Sequence, residues 1–268
     1  MTLKKRLIAC LLWNDGNIVQ SIGFRHTNAV GNAFTSVEFF TTWAIDEIVI
    51  LDVTKGNHDR NNFYQIIQEL SKRCFVPLSV GGHIKNLEEI KILLSKGADK
   101  IIINTLAHKD PNFITKASKL FGNQCIVISI DAKKDENNNH FVYINQGKEK
   151  TNSTALDWAK KVQELGGGEI FLTSIDNDGK RQGYDLELIN KISKSVDIPV
   201  IASGGVGKWE HLVEGIKAGA DAVSAANIFH YTEQSTKLAK EFMKKEGIEV
   251  RNPDFFKITS KRNVIYRI

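Results

Sequence analysis

The chain has 268 residues, of which 42% are hydrophobic and 25% charged, and its formal net charge is +5. This length fits one large domain, and the mild, scattered positive charge argues against a nucleic-acid-binding protein. No apolar run is long enough to cross a membrane, so we expect neither nucleic acid nor membrane as a partner.

The first residues are basic and then apolar, but the apolar run is short and has no small-residue cleavage site. We interpret it as a first strand. Cys10, Cys74 and Cys125 lie far apart, and Cys10 and Cys125 fall in apolar runs that we predict to be buried strands. Their spacing matches neither a zinc site nor a catalytic cysteine. The sequence therefore predicts a cytoplasmic protein with structural thiols, no metal site and no cofactor.

Short apolar, β-branched runs alternate with amphipathic stretches along the whole chain, as in a sheet of parallel strands and helices. The predicted strands are Arg6 to Leu12, Glu47 to Val53, Pro77 to Val80, Lys100 to Asn104, Cys125 to Asp131, Glu169 to Ile175, Pro199 to Ser203 and Asp221 to Ala225. Asn86 to Lys96 carries one apolar stripe and is predicted to be a helix. Eight such pairs predict an α/β fold, a single (β/α)₈ TIM barrel.

An internal repeat divides this barrel into halves. A shift of 122 residues, which brings Gly82 onto Gly204, also brings Pro77 onto Pro199 and Gly97-Ala98-Asp99 onto Gly219-Ala220-Asp221. A shared offset across two strand and helix units favours two similar half-barrels over chance matches.

Glycine pairs follow the third and seventh predicted strands, in Val80-Gly81-Gly82-His83 and Ala202-Ser203-Gly204-Gly205. Glycine lets the backbone approach an oxyanion, and the amides of a following helix attract it. Asn104-Thr105 and Ala226-Asn227 end the neighbouring strands and supply further donors. Two such cradles suit a substrate with a phosphate at each end. The alternative is that the glycines only turn the chain.

Acidic residues gather at the same predicted end of the barrel, where active sites of such barrels lie. Asp131 closes an apolar strand, which places its carboxylate for proton transfer, and Asp176 and Asp178 follow the sixth strand. For Asp176, the alternative is a loop carboxylate that only caps the next helix or is solvated.

Taken together, these motifs resemble the cyclase subunit of imidazole glycerol phosphate synthase. The similarity runs from Lys5-Arg6-Leu7-Ile8 through Ile130-Asp131-Ala132-Lys133 and Thr173-Ser174-Ile175-Asp176 to Ile201-Ala202-Ser203-Gly204-Gly205. The resemblance implies a lyase-type cyclase of histidine biosynthesis. It implies a glutaminase partner in a heterodimer, whose ammonia passes through the barrel to a phosphoribulosyl aminoimidazole-carboxamide substrate with two phosphates.

The resemblance also assigns roles to residues. It implies that Asp131 is one of two catalytic aspartates. It places around the substrate and its phosphates Gly82, Asn104, Thr105, Thr173, Asp178, Gly204, Gly205, Ala226 and Asn227. It identifies a salt-bridged ammonia entrance in Arg6, Glu47, Lys100 and Glu169, which begin strands. Buried charges of mixed sign must pair, so a purely structural ring is the alternative for these four.

The sequence departs from the family pattern at several positions. Leu12 stands where the family has its other catalytic aspartate, and leucine cannot transfer a proton. The first loop reads Val19-Gln20-Ser21 where the family has a lysine and a glycine, and His83 replaces a third glycine. We expect the barrel to occupy residues 1–250 and a tail to occupy residues 251–268, beyond the usual end of the family.

Leu12 leaves other interpretations open. The resemblance implies a paralogous branch that supplies ammonia for acetamidino modification of bacterial surface sugars and lacks the same acid. A catalytically silent scaffold that binds and activates a glutaminase is another. The sister isomerase of histidine synthesis needs an acid on both symmetric strands, so Leu12 argues against it.

Overall fold

The computed structural model of the chain describes residues 3–56, 59–231, 234–253, 256–259 and 264–267, and it describes the backbone alone for residues 26, 27, 256–259 and 264–267. In chain order the elements are β1 (Arg6–Asn14), β2 (Asn17–Ile22), β3 (Arg25–Asn32), α1 (Ala33–Thr42), β4 (Glu47–Asp52), α2 (Arg60–Ser71), β5 (Leu78–Gly81), α3 (Leu87–Ser95), β6 (Lys100–Ile103), α4 (Thr105–Lys109), α5 (Asn112–Phe121), β7 (Ile126–Lys134), β8 (His140–Ile144), β9 (Glu149–Thr154), α6 (Ala155–Glu164), β10 (Glu169–Ser174), α7 (Leu186–Ser193), β11 (Val200–Ser203), α8 (Trp209–Lys217), β12 (Ala222–Ala225), α9 (Ser235–Lys245), β13 (Phe256–Thr259) and β14 (Val264–Arg267).

Eight parallel strands close a barrel in the order β1, β4, β5, β6, β7, β10, β11 and β12, and β12 pairs with β1 to complete the ring. Helices connect successive strands and cover the outside. The predicted (β/α)₈ fold is confirmed, and each of the eight predicted strands corresponds to a strand of the ring. Within the described residues no helix is long and apolar enough to cross a membrane.

Apolar cores lie on both faces of the barrel wall, because successive side chains of a strand point to opposite faces. The larger core lies between the strands and the helices; α3, for example, buries Ile90 and Leu93 against the wall. The smaller core fills the barrel interior with Ile8, Cys10, Val49, Ile102, Val127, Phe171, Ile201 and Ala222. This interior layer separates the two ends of the barrel.

The repeat seen in the sequence corresponds to matching local structure. Asp99 Oδ2 accepts a hydrogen bond from Leu78 N at 2.8 Å, and Asp221 Oδ2 accepts one from Val200 N at 3.1 Å. Each aspartate thus satisfies the first amide of the preceding strand of the ring. The repeated Gly-Ala-Asp motif therefore joins adjacent strands rather than binding a ligand.

Two antiparallel hairpins, β2–β3 and β8–β9, extend β1 and β7 beyond the barrel wall at equivalent places in the two halves. The sequence analysis missed both. β9 reads Glu-Lys-Thr-Asn-Ser-Thr, which lacks the apolar alternation of a half-buried strand. The backbone of β13 and β14 forms a separate two-stranded sheet within residues 251–268.

One prediction about the cysteines was wrong. Cys125 lies in a 3₁₀ turn, Asn123–Cys125, before β7, and its side chain is half-buried. Cys10 is buried in β1 as predicted.

Candidate active site

A pocket of about 540 Å³ lies at the end of the barrel where the strands finish. It is the place where ligands bind in this architecture. All ten residues predicted for catalysis and substrate binding line it: Gly82, Asn104, Thr105, Asp131, Thr173, Asp178, Gly204, Gly205, Ala226 and Asn227. Residues from both halves of the chain thus meet around one cavity.

The two glycine loops have nearly the same backbone conformation. Gly82 and Gly204 both have φ of +93°, and His83 and Gly205 follow with φ of +54° and +106°. A Cβ atom at Gly82 would collide with Asp52 O, and one at Gly205 would collide with Gly183 O. The close approach of two backbone segments therefore requires glycine at both positions.

His83 occupies a left-handed conformation that glycine adopts more easily. Its Nε2 atom lies 2.9 Å from Thr54 O, within hydrogen-bonding distance. This side chain lines the pocket, so the departure from the family pattern changes the wall of the site itself.

The second pair of predicted donors is also related by the repeat. Asn104 has φ and ψ of −117° and −84°, and Ala226 has −114° and −81°. Thr105 begins the short helix α4, and Asn227 begins a 3₁₀ turn, Asn227–His230. The predicted helix after each glycine pair is present, since α3 begins at Leu87 and α8 at Trp209.

Asp131 is the carboxylate whose surroundings fit proton transfer best. The pKa of Asp131 is raised to about 7, mainly by burial and in smaller part by the nearby Asp178 carboxylate. The Ser129 hydroxyl opposes this rise by donating to Oδ1 at 2.9 Å, and Asn104 Nδ2 lies 3.3 Å from Oδ2. An acid with a pKa near neutral can both donate and accept a proton.

Leu12 faces the same pocket beside Cys10, at the end of β1. Burial raises the pKa of the Cys10 thiol to about 12, so it stays protonated near neutral pH. Asp52 also lines the pocket, but its Oδ2 is 2.6 Å from Arg60 in an ion pair. Among the described residues of this wall, Leu12 and Cys10 offer no ionised group, and the Asp52 carboxylate is already paired with Arg60.

Asp178 is engaged by the first hairpin. Ser21 Oγ donates to Asp178 Oδ2 at 2.5 Å, and Phe24 N donates to the same oxygen at 3.0 Å. Asn227 Nδ2 also lies 3.4 Å from Ser21 O. The turn of the β2–β3 hairpin is thereby held over the side of the pocket that belongs to the second half of the chain.

The β8–β9 hairpin covers the opposite side. Asn145 N donates to Thr105 Oγ1 at 3.0 Å, and Gln146 lines the pocket. The two hairpins come close together at Gly147 and Phe24. The space is tight, since a Cβ atom added at Gly147 would lie 2.9 Å from Phe24 Cδ2. Phe24 has φ of +62°, an unusual conformation for a bulky residue.

The sequence analysis missed several lining residues, namely Ser21, Phe24, Lys85, Lys109, Ser129 and Gln146. The signal for Ser129 was available, since it lies two residues before Asp131 on the same face of β7. Asp176 does not line the pocket. Its Oδ2 accepts from Lys134 N of β7 at 2.8 Å, so it bonds a strand backbone rather than capping the next helix.

The four charges predicted at the strand starts form a closed ring at the opposite end. Arg6 NH1 lies 2.6 Å from Glu47 Oε2, and Lys100 Nζ lies 3.0 Å from the same oxygen. Glu169 completes the ring, with Lys100 Nζ 2.9 Å from its Oε2 and Arg6 NH2 in contact with Oε1.

Pairing determines the charge state of this ring. Burial lowers the pKa of Arg6, but Glu169 and Glu47 outweigh burial, and the net pKa is raised. The Glu47 side chain is only 1% exposed, and its second oxygen accepts from Ser79 Oγ at 2.6 Å.

No cluster of three or more His, Cys, Asp or Glu residues suits a metal ion in the described part of the chain.

Comparison with known proteins gives concordant matches. A family model described as "Histidine biosynthesis protein" matches residues 6–235. The imidazole glycerol phosphate synthase subunit HisF of Clostridium botulinum (strain Okra / Type B1) is 44% identical over 251 residues, which are 93% of this chain and 99% of that protein. The putative imidazole glycerol phosphate synthase subunit hisF2 of Vibrio vulnificus (strain YJ016) is 44% identical over 250 residues, 93% of this chain and 92% of that protein.

Proposed function

Because this chain belongs to the histidine biosynthesis protein family, we propose that it is a cyclase-type subunit of imidazole glycerol phosphate synthase, a lyase-type enzyme. Its substrate would be a bisphosphate of the phosphoribulosyl aminoimidazole-carboxamide type. Ammonia would come from a glutaminase partner. The single observation that carries this proposal is Asp131, a buried carboxyl with a pKa of about 7 between two matched glycine loops.

The matched loops suit the two ends of a bisphosphate. Backbone amides next to Gly82 and Gly204 can approach phosphate oxygens because no Cβ atom stands in the way. Thr105 and Asn227, which line the same pocket, add side-chain donors. A substrate bound at both ends would span the pocket and bring its reacting centre past Asp131.

Asp131 would transfer protons during ammonia addition and ring closure. Ser129 and Asn104 hold its two oxygens in fixed directions. A cyclisation of this kind gains from a second acid or base on the opposite wall, where this chain has Leu12. We therefore propose that Asp131 works without that partner and that the reaction is slower or altered.

The opposite end of the barrel suits a route for ammonia. A small neutral molecule can pass an apolar interior such as the layer around Phe171 and Val127 far more easily than an ion can. At the end of the barrel where strands begin and helices end, the apolar side chains of Leu3, Phe75 and Leu120 are 91%, 41% and 63% exposed. These apolar side chains suit a docked glutaminase.

A Lys100→Ala variant tests this route. We expect glutamine-dependent turnover of the two-protein complex to fall at least tenfold, while turnover driven by added ammonium salt changes by less than twofold. Lys5→Ala is the matched control, since Lys5 pairs with Asp221 outside the ring. An equal fall in both activities, or the absence of any glutaminase bound to this face, would contradict the proposal.

A second function is favoured by Leu12 and by the similarity to a protein named as a putative hisF2 subunit. In that case the chain supplies ammonia for acetamidino modification of a bacterial surface sugar. Assay of both substrates with the same glutaminase complex distinguishes the two. If the complex turns over neither substrate while the chain still stimulates glutamine hydrolysis, the chain is a catalytically silent scaffold.

A further inference from the structure

The two phosphate cradles have matching backbones but unequal charge. The first cradle consists of the loop at Gly82 with Thr105, and the second consists of the loop at Gly204 with Asn227. Their backbone angles agree within a few degrees at Gly82 and Gly204, as well as at Asn104 and Ala226. The backbone at these four positions therefore does not distinguish the cradles, although the residues after the first glycines, His83 and Gly205, differ in φ (+54° and +106°).

Side-chain charge does distinguish the cradles. Lys85 and Lys109 are the only lysines or arginines among the described residues that line the pocket. Lys85 lies in the loop between Gly82 and α3, and Lys109 ends the helix that Thr105 begins. The shift of 122 residues places Gly207 and Tyr231 at the equivalent positions of the second half. Both cations therefore stand beside the first cradle.

These ammonium groups can turn toward a ligand. Lys85 is exposed and has no ion pair within the part of the chain that the structure describes. Lys109 Nζ lies 3.7 Å from Glu149 Oε2, and both side chains are about half exposed. A loose, exposed pair of this kind holds its lysine only weakly.

Near the second cradle the pocket is lined by a carboxylate, and the neighbouring Arg181 does not line the pocket, because its guanidinium packs 5.6 Å over the Tyr231 ring. The Asp52 carboxylate beside the first cradle is neutralised by its ion pair with Arg60. Asp178 N donates to Ser174 O at 3.0 Å, and a Cβ atom at Gly204 would lie 2.7 Å from the same oxygen. Asn227 reaches Ser21 O, and Ser21 binds the Asp178 carboxylate. Asp178 thus lies among the elements of the second cradle, where its negative charge opposes a phosphate dianion.

We propose that the first cradle is the high-affinity site for a phosphate monoester dianion, and that Lys85 and Lys109 make it so. The second cradle holds the other phosphate of the ligand at much lower affinity. The inference rests on the proposed function, because it assumes that the cradles bind the ends of the substrate. Unequal cradles give the substrate one orientation, which a symmetric pair of sites would not do.

Inorganic phosphate is the probe. Crystals of the protein soaked at graded phosphate concentrations should show occupancy at Gly82 and Thr105 at a concentration at least tenfold below that needed at Gly204 and Asn227. Calorimetric titration in solution should give two classes of site with the same ratio. The double variant Lys85→Ala/Lys109→Ala should bring the two affinities within threefold of each other.

Two controls isolate the charge. Lys85→Arg/Lys109→Arg should keep the preference, and Lys208→Ala, which removes a lysine that does not line the pocket, should leave both affinities unchanged. Thermal unfolding of each variant verifies the fold. Equal occupancy in the unmodified protein, or a stronger second site, overturns this inference but leaves the bisphosphate proposal intact. Absence of phosphate from both cradles overturns both.

Discussion

The two ends of the barrel treat buried charge in opposite ways. Where the strands begin, Glu47 and Glu169 each contact both Arg6 and Lys100, so the ring closes on itself. Where the strands finish, Asp131 is also buried, but among the described residues it receives hydrogen bonds from one hydroxyl and one amide and has no ion pair. Charges that are already paired with each other are not available to bind a ligand. A carboxyl without a cation remains able to exchange its proton and to act on a substrate.

Restoring an acid at Leu12, at the end of the barrel where the strands finish, would test this comparison most directly. We expect the unmodified protein, given the histidine-pathway substrate and excess ammonium salt, to turn over on the order of 10²–10⁴ times more slowly than the Clostridium botulinum relative. Leu12→Asp should recover part of that factor. Steady-state kinetics measures both. Normal turnover by the unmodified protein would show that Asp131 needs no partner.

Breaking the charge ring where the strands begin should lower the stability of the fold rather than change proton transfer at Asp131. Glu47→Ala leaves Arg6 and Lys100 with one carboxylate between them, and loss of one member of a buried ion pair costs about 3–5 kcal/mol. Urea unfolding measures the change in free energy of unfolding. The control is Glu149→Ala, an exposed glutamate whose removal should change stability by less than about 1 kcal/mol. Equal effects of the two variants would mean that burial adds nothing to the ring.

At the end of the barrel where the strands finish, stability should fall as pH rises from about 4 to about 7. Asp131 has a pKa raised from 3.8 to about 7, so the native state is penalised in that interval, because the unfolded carboxyl ionises there while the folded one stays protonated. This penalty reaches roughly 4 kcal/mol at full ionisation. Asp131→Asn removes it.

Thermal unfolding of the ligand-free protein between pH 4 and pH 9 provides the measurement. The stability of Asp131→Asn relative to the unmodified chain should increase as pH rises from about 4 to about 7 and then level off. A difference that stays constant over this range would show that Asp131 is not the ionising group. Ser129→Ala removes the hydrogen bond that lowers the pKa, so the rise should extend to higher pH.

The smallest effect concerns the hairpin that covers the end of the barrel where the strands finish. Ser21→Ala removes a hydrogen bond to the Asp178 carboxylate, and such bonds contribute about 1.5–3 kcal/mol. We expect faster amide hydrogen exchange in β2 and β3, with β8 and β9 as the internal reference. Equal exchange in both hairpins before and after the change would mean that Asp178 does not hold the first one.

The sequence predicted the barrel and the ring well because both depend on strong local signals. A single charge at the start of an apolar strand, such as Glu47 or Lys100, is buried at one end of a parallel barrel and must pair with other charges there. The Asp178 contact with Ser21 joins residues that are 157 positions apart. No short-range pattern in the sequence indicates that pairing. The sequence analysis missed the hairpins for the same reason, because their side chains pack on loops rather than on a periodic apolar core.

The contact between Phe24 and Gly147 makes the two halves of the chain interdependent. The aromatic ring comes from the first half and the residue without a side chain from the second, and a Cβ atom at Gly147 would already press on the ring at 2.9 Å. Two copies of either half alone could not reproduce this fit. The two halves, although similar in fold, are therefore not interchangeable at the mouth of the pocket.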